Sequence, residues 1–273
     1  MSFSSSSINQ LLEEQVKTWE LARINYQALN SIQSKSFDMG GFTIRVQFNP
    51  ARIVSSAAKV DKQSIQERKC FLCPENLPKE QNDRPFNEEY HALVNPFPIF
   101  NKHFTLPTYA HTDQVIYTKI DTMLAMARNL TEHTLFYNGP KSGASAPDHA
   151  HFQAGERGFM PIEREIDAFC GEKLIDTPYT QIYPIVNYLR NGIYIRSQNR
   201  EEAVTWFKQA YQLLEIKKED PEPMMNVITW FKDPEWHCCI FPRNVHRPAC
   251  YFAEGEENIL LSPASVDLGG VFI

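Results

Sequence analysis

Hydrophobic positions near the start of the chain recur at spacings of three and four: Leu12, Val16, Trp19, Ala22, Tyr26 and Leu29 form one stripe, with Glu13, Lys17 and Glu20 off it. That period predicts an amphipathic packing helix within residues 8–34. The pattern then changes to alternation. Phe42-Thr-Ile-Arg-Val-Gln-Phe48 follows Gly40-Gly41 and predicts a strand entered by a turn and closed at Asn49-Pro50. Residues 90–94 and 103–107 read as two strands around the turn Asn95-Pro-Phe-Pro98. A helix is expected over roughly 114–130, with Ile116, Ile120, Met123, Leu124 and Ala127 on one face, and a strand over 134–137. Beyond residue 160 the signal weakens. Short apolar stretches mix with loops from 161 to 190, residues 205–216 predict a second amphipathic helix, and 226–231, 236–241 and the apolar tail at 266–273 read as three more strands.

Residues 138–153 break this pattern. A loop of small residues runs into His149-x-His151-x-Gln153, where polar side chains alternate with Ala150, Phe152 and Ala154. In an extended strand alternate side chains share a face, so the two histidines and the glutamine would point one way and the apolar set into a core. Single histidines and Gly/Ser turns are ordinary structural features. Three polar groups in a row on a buried strand are harder to explain as packing, because each needs a partner. The loop ahead of them carries Gly139, Pro140, Gly143 and Pro147 among Lys141, Ser142 and Ser145, a composition that lets backbone N–H groups and hydroxyls approach an anion. Together these features suggest a phosphate held beside an imidazole.

Composition narrows the setting. The 273 residues, 42% of them apolar, suit one large soluble domain or two small ones, and the formal net charge of −6 without a Lys/Arg cluster argues against duplex nucleic acid or an anionic membrane as partner. A small phosphorylated ligand, which needs only local donors, is compatible. With no secretory signal and no apolar run of about eighteen residues, a cytoplasmic location is expected. The ending Gly-Gly-Val-Phe-Ile reads as a shortened C-terminus. Among six cysteines, Cys70-x-x-Cys73 precedes a Pro- and Asn-rich loop rather than a βαβ pattern, which favours metal over redox chemistry; two buried unliganded thiols are the plain alternative. Arg52, Lys59 and the stretch Pro242-Arg-Asn-Val-His-Arg-Pro248 could meet a phosphate or be solvated surface.

The ordered set Phe48-Asn49-Pro50, Cys70-x-x-Cys73-Pro, Asn95-Pro-Phe97-Pro, His103-x-Thr-Leu-Pro107, Ser142-Gly-Ala-Ser145 and His149-x-His151-x-Gln153 resembles the nucleotidyltransferase branch of the histidine triad superfamily. That branch includes galactose-1-phosphate uridylyltransferase, diadenosine tetraphosphate phosphorylase and the GDP-hexose phosphorylases. The resemblance implies an α+β fold of two related half-domains, at 1–160 and 161–273, each an antiparallel sheet flanked by helices, the second expected to be truncated. It implies His151 as a nucleophile that carries a nucleotide covalently, acting on an NDP-sugar or dinucleoside polyphosphate with phosphate or a sugar phosphate as acceptor. Gln153, where the hydrolytic branch has a third histidine, would donate a hydrogen bond to a phosphoryl oxygen without serving as acid or base.

By the same resemblance a structural zinc ion would take Cys70, Cys73, His103 and His149, with His111 in reserve. Asn95 would meet the nucleoside, and Asn138, Lys141, Ser142, Gly143 and Ser145 would surround the phosphates. Ser145-Ala-Pro-Asp-His149 is one residue longer than the family's usual Ser-x-x-His, and His-Phe-Gln-Ala is closer to the GDP-hexose phosphorylases whereas the cysteine pair is closer to the uridylyltransferases. A zinc-stabilised nucleotide-binding or regulatory protein without turnover, and a nucleotide phosphohydrolase, are the rival readings. A homodimer is compatible with each.

Overall fold

A computed structural model describes residues 2–49 and 62–273, so Pro50, Arg52 and Lys59 lie outside the described residues. The opening apolar stripe forms two helices rather than one, α1 (Ser5–Thr18) and α2 (Glu20–Ala28). Ser4 and Ser7 cap α1 reciprocally, which is why it begins in the serine run ahead of the stripe. Trp19 is extended (φ −114°, ψ 108°) and breaks the helix. Strand β1 (Gln33–Asp38), exposed along its whole length, pairs with β2 (Thr43–Phe48), the strand expected at 42–48.

A short helix α3 (Lys62–Glu67) leads to the cysteine pair. Strands β3 (Asp83–Pro85), β4 (His91–Val94) and β5 (His103–Pro107) follow, then α4 (Ile120–Asn129), β6 (His133–Asn138) and β7 (His151–Glu156). After the four-residue helix α5 (Ile162–Glu165), the same sequence of elements recurs: β8 (Ile175–Asp176), β9 (Thr180–Ile185), β10 (Gly192–Ser197), α6 (Arg200–Gln212), β11 (Met225–Lys232) and β12 (Glu235–Pro242). The chain closes with α7 (Ser265–Leu268) and β13 (Val271–Phe272), the latter parallel to β2, so most of the expected C-terminal strand is helix and turn.

Ten of these strands form one antiparallel sheet in the order β3-β4-β5-β7-β6-β11-β12-β10-β9-β8. Its two five-stranded units have the same order and meet where Leu135–Asn138 of β6 pairs with Asn226–Thr229 of β11. Alternation along the strands builds two apolar layers. Leu106, Leu135, Tyr137, Phe152, Val227 and Ile240 pack with Leu11, Met123, Leu124 and Phe207 of the helices. On the other face Phe136, Ile228, Trp230 and Phe241 pack with Met160, Ile162, Val266 and Leu268. Both layers draw on both units. The architecture is α+β, with Ala154 and Phe152 turned inward as the period-two reading expects.

One buried acid ties the linker before β11 to this core. Glu222 accepts from Ile116 N (2.9 Å) and lies 2.5 Å from Tyr137 Oη, which also reaches the Gln114 carbonyl. Burial, only partly offset by these hydrogen bonds and by Lys119, pushes the Glu222 carboxyl up to about 7. A folded-state value above the ordinary 4.5 means that the folded protein holds this proton more tightly than the unfolded chain. The resulting stabilisation is whole below about pH 4.5 and is lost as pH rises through 7, a change of about 3 kcal/mol. Urea denaturation from pH 5 to 8 should therefore show the wild type losing stability relative to Glu222→Gln; parallel profiles would refute the assignment.

Candidate active site

The register around β7 positions the motif. Thr105, Gln153 and Phe136 lie opposite one another across β5, β7 and β6, and Pro107 pairs with His151. His151 is the first residue of β7; His149 lies just before it, in the turn, and not on the strand face.

The His151 ring is held by its own neighbour. Its Nδ1–H donates to the carbonyl oxygen of His149 at 2.8 Å, while burial brings its pKa down to about 4 and keeps the ring neutral. Nε2 then carries the lone pair and has no hydrogen-bond partner among the described residues. The backbone is clamped as well: Gln114 Oε1 accepts from His151 N (2.7 Å), and Gln114 Nε2 donates to the carbonyls of His151 and Asn138 (both 3.0 Å). Gln114 is 1% exposed. Nothing local in the sequence marks it, since a lone glutamine before a helix is commonplace.

His151 lines a cavity of about 880 Å³ together with Asn95, Thr105, Asn138, Gly143, Ser145 and Gln153. His103 sets the Gln153 amide. Ile99 N donates to His103 Nδ1 (3.2 Å), so the ring proton is on Nε2, which donates to Gln153 Oε1 (2.9 Å). The Gln153 oxygen is thereby occupied and its NH₂ is left as the donor for the cavity. Asn138 is fixed in a similar way, its Oδ1 accepting from Asn226 Nδ2, Ser265 N and Ser265 Oγ at 2.8–2.9 Å. Asn95 closes its own turn, accepting from Phe97 N (2.9 Å) and donating to Thr105 Oγ1 (3.2 Å).

Two of the expected phosphate contacts lie elsewhere. Ser142 is fully buried, with its carbonyl accepting from Asn226 Nδ2 and its hydroxyl unpartnered among the described residues, and it does not line the cavity. Lys141 is exposed, approaches Asp220 at 4.0 Å and faces a separate, smaller cleft. The reason is that the loop folds under the C-terminal segment: a Cβ at Gly143, whose φ is +97°, would stand 2.8 Å from Ala264 Cβ.

Cys70, Cys73, His111 and His149 bring one ligand atom each to within 4.8 Å of one another. Cys70 Sγ lies 3.3 Å and Cys73 Sγ 3.6 Å from His149 Nδ1, and Cys73 Sγ lies 3.2 Å from His111 Nδ1. Donor atoms of a tetrahedral N/S site stand about 3.5 Å apart, so the set fits one such metal ion. His149 Nε2–H donates to the Thr108 carbonyl (2.7 Å) and His111 Nε2 faces Asp148 (3.7 Å), which leaves both Nδ1 atoms turned to the sulfurs. Burial opposes the Cys70 thiolate, but the hydrogen bonds from His149 and the Leu72 amide outweigh it and bring the thiol down to about 6.

His103 is not part of this cluster, contrary to the expected ligand set. Antiparallel pairing places it opposite Gly155, at the far end of β7 from His149, whereas the chain beyond Pro107 returns past His149 and delivers His111.

Residues 11–156 match a family described as a domain of unknown function, DUF4922. The chain belongs to the DUF4922 family. The DUF4922 region runs from within α1 to the end of β7 and contains all four cluster residues together with His151 and Gln153. No curated protein matches the chain. Among solved structures, yeast Ap4A phosphorylase Apa2 is similar at 18% identity, with 93% of this chain and 88% of that chain covered and a TM-score of 0.55. The same enzyme in complex with Ap4A is similar at 16% identity, covering 100% and 90%, with a TM-score of 0.57. A DUF4931 family protein from Bacillus cereus aligns at 18% identity over 69% of this chain and 96% of its own, TM-score 0.47. The chain shares its fold with Apa2.

Metal analysis checks the ligand set. Wild-type protein should carry about one equivalent of a divalent transition metal. His111→Ala and Cys73→Ser should lose it, and His103→Ala should retain it; loss in His103→Ala with retention in His111→Ala would reverse the assignment.

Proposed function

We propose that the protein is a nucleotidyltransferase or phosphorylase that carries a nucleotide on His151. The observation that supports this reading best is the state of that ring: neutral, with Nδ1–H engaged by a backbone carbonyl and Nε2 unpartnered among the described residues, on a residue that lines a large cavity. Attack of Nε2 on the α-phosphorus of an NDP-sugar or dinucleoside polyphosphate would form an N–P bond and expel the phosphate-bearing leaving group. As the ring gains positive charge, the His149 carbonyl stabilises it through Nδ1–H. Gln153, its oxygen held by His103, offers its NH₂ to a phosphoryl oxygen and Asn138 adds a second amide. Neither can activate water, which favours return of the nucleotide to phosphate or a sugar phosphate over hydrolysis.

A nucleotide substrate is supported further by the complexes of Apa2 with AMP and with Ap4A. The donor set of two sulfurs and two imidazoles suits zinc, which would hold the His149 side chain while the carbonyl of the same residue holds the His151 ring. With all four positions taken by protein, the metal's part is structural. The repeated strand order on either side of the β6–β11 junction supports reading the chain as two related halves, of which the N-terminal one carries the chemistry.

Protein incubated with α-labelled Ap4A or an NDP-hexose should form an acid-labile adduct on His151 that is discharged by inorganic phosphate. His151→Asn should abolish the adduct and lower turnover by about a thousandfold or more, and Gln153→Ala should lower turnover by about a hundredfold while leaving the adduct detectable. Binding of nucleotide with neither adduct nor product would point instead to a protein that binds without turnover, and product formation in water alone to a hydrolase.

A further inference from the structure

Beyond β12 the chain turns back over the cavity, and two arginines in that turn have different surroundings. Arg243 is used up by the fold. Its Nη1 donates to Asn226 Oδ1 (2.7 Å) and the Pro263 carbonyl (3.1 Å), and its Nη2 to the carbonyls of Val245 (3.2 Å) and His246 (2.8 Å). These bonds fix the backbone that presents Arg247. The Arg247 guanidinium lies 4.1 Å over the Tyr251 ring, and its Nε donates to Ser262 Oγ at 3.1 Å. Ser262 in turn lies 3.2 Å from His246 Nε2; burial, with both arginines nearby, holds His246 neutral, so the serine donates to it.

Stacking and the Nε bond fix the plane of Arg247, while Nη1 and Nη2 have no hydrogen-bond partner and no carboxylate among the described residues. Arg247, His246 and Ser262 line the same cavity as His151 and Gln153, and Arg247 and His246 also border the neighbouring Lys141 cleft. Asp267, also on that wall, accepts from Ala264 N (2.8 Å). A cation oriented in advance, its terminal fork free, in the wall of the reaction cavity matches an anion that can accept two parallel hydrogen bonds.

We infer that Arg247 seats a terminal phosphate group in the cavity, with His246 and Ser262 as its support. Resting on the His151 reading, the site has one chemical occupant with two sources. In the first displacement Nε2 of His151 bonds to the α-phosphorus and the bond from that phosphorus to the bridging oxygen breaks, its electrons leaving with the distal phosphate. In the second an oxygen of an incoming phosphate bonds to the same phosphorus, the N–P bond breaks, and its electrons return to Nε2. In-line geometry puts both the departing and the incoming phosphate on the side of the phosphorus opposite His151, so the two share one subsite.

Calorimetric titration of the intact protein with inorganic phosphate tests this. Wild type and His151→Asn should bind phosphate equally, R247Q should bind at least about tenfold more weakly, as expected for loss of charge-assisted hydrogen bonds, and R247K should fall between, having the charge without the fork. Unchanged melting temperatures would show that the variants fold. Equal phosphate affinity in R247Q and wild type, no phosphate binding by the wild type, or an equal loss in Lys141→Gln, which would place the ion in the neighbouring cleft, overturns the subsite. The sources separate in single turnovers: R247Q should slow both formation of the adduct from Ap4A and its discharge by phosphate. Arg247-dependent phosphate binding in a protein that forms no adduct would overturn the histidine chemistry and leave the subsite standing.

Discussion

A single residue, His149, joins the candidate metal cluster to the candidate nucleophile. Its imidazole is fixed at both nitrogens, Nδ1 among the two sulfurs and Nε2 on the Thr108 carbonyl, so its backbone cannot rotate without breaking buried contacts. Its own carbonyl holds Nδ1–H of His151 and thereby selects the tautomer that leaves Nε2 able to attack. Loss of the cluster would free the His149 ring, and with it the carbonyl that orients His151. On the proposed reading the cysteines orient and the ring two residues on reacts.

The second constraint is the polar network behind the cavity. Gln114, Tyr137, Asn138, Glu222, Asn226 and Ser265 are all buried, and they bond mainly to one another and to backbone carbonyls. A half-satisfied set of this kind would be strongly destabilising, whereas a satisfied one admits few alternative arrangements. It links β6, β11, the turn before β7 and the C-terminal helix, which is how the segment beyond β12 comes to line one cavity with residues of the N-terminal unit. Beside this set Ser142 Oγ is buried without a partner among the described residues.

Parts of this were legible in the residues and parts were not. Alternation at 149–154 was enough to place Phe152 and Ala154 in the core and to put His151 and Gln153 on the opposite face, because a strand's period depends only on the local chain. The C-x-x-C spacing was enough to suggest a metal, since two thiolates so close in sequence are held together in almost any fold. Lys141 and Ser142 could not be separated from Gly143 and Ser145 by composition, because the side of the loop that faces the cavity depends on how Ala264 and Asn226 pack against it. Gln114 and Asn226 carried no signal; a buried polar residue is recognised by the partners it finds, and those are far along the chain.

The histidines show the division most clearly. In one dimension the resemblance favoured His103 as the ligand and held His111 in reserve; the register of β5 on β7 reverses the two, sending His103 to orient the Gln153 amide and bringing His111 to Cys73. By itself the sequence determined which chemical groups this protein has and which of them share a strand, since both follow from local spacing. Which groups meet across strands, which serine is buried and which arginine is used up by the fold were decided only by the tertiary structure, because strand register and loop docking are set by the packing of the whole core.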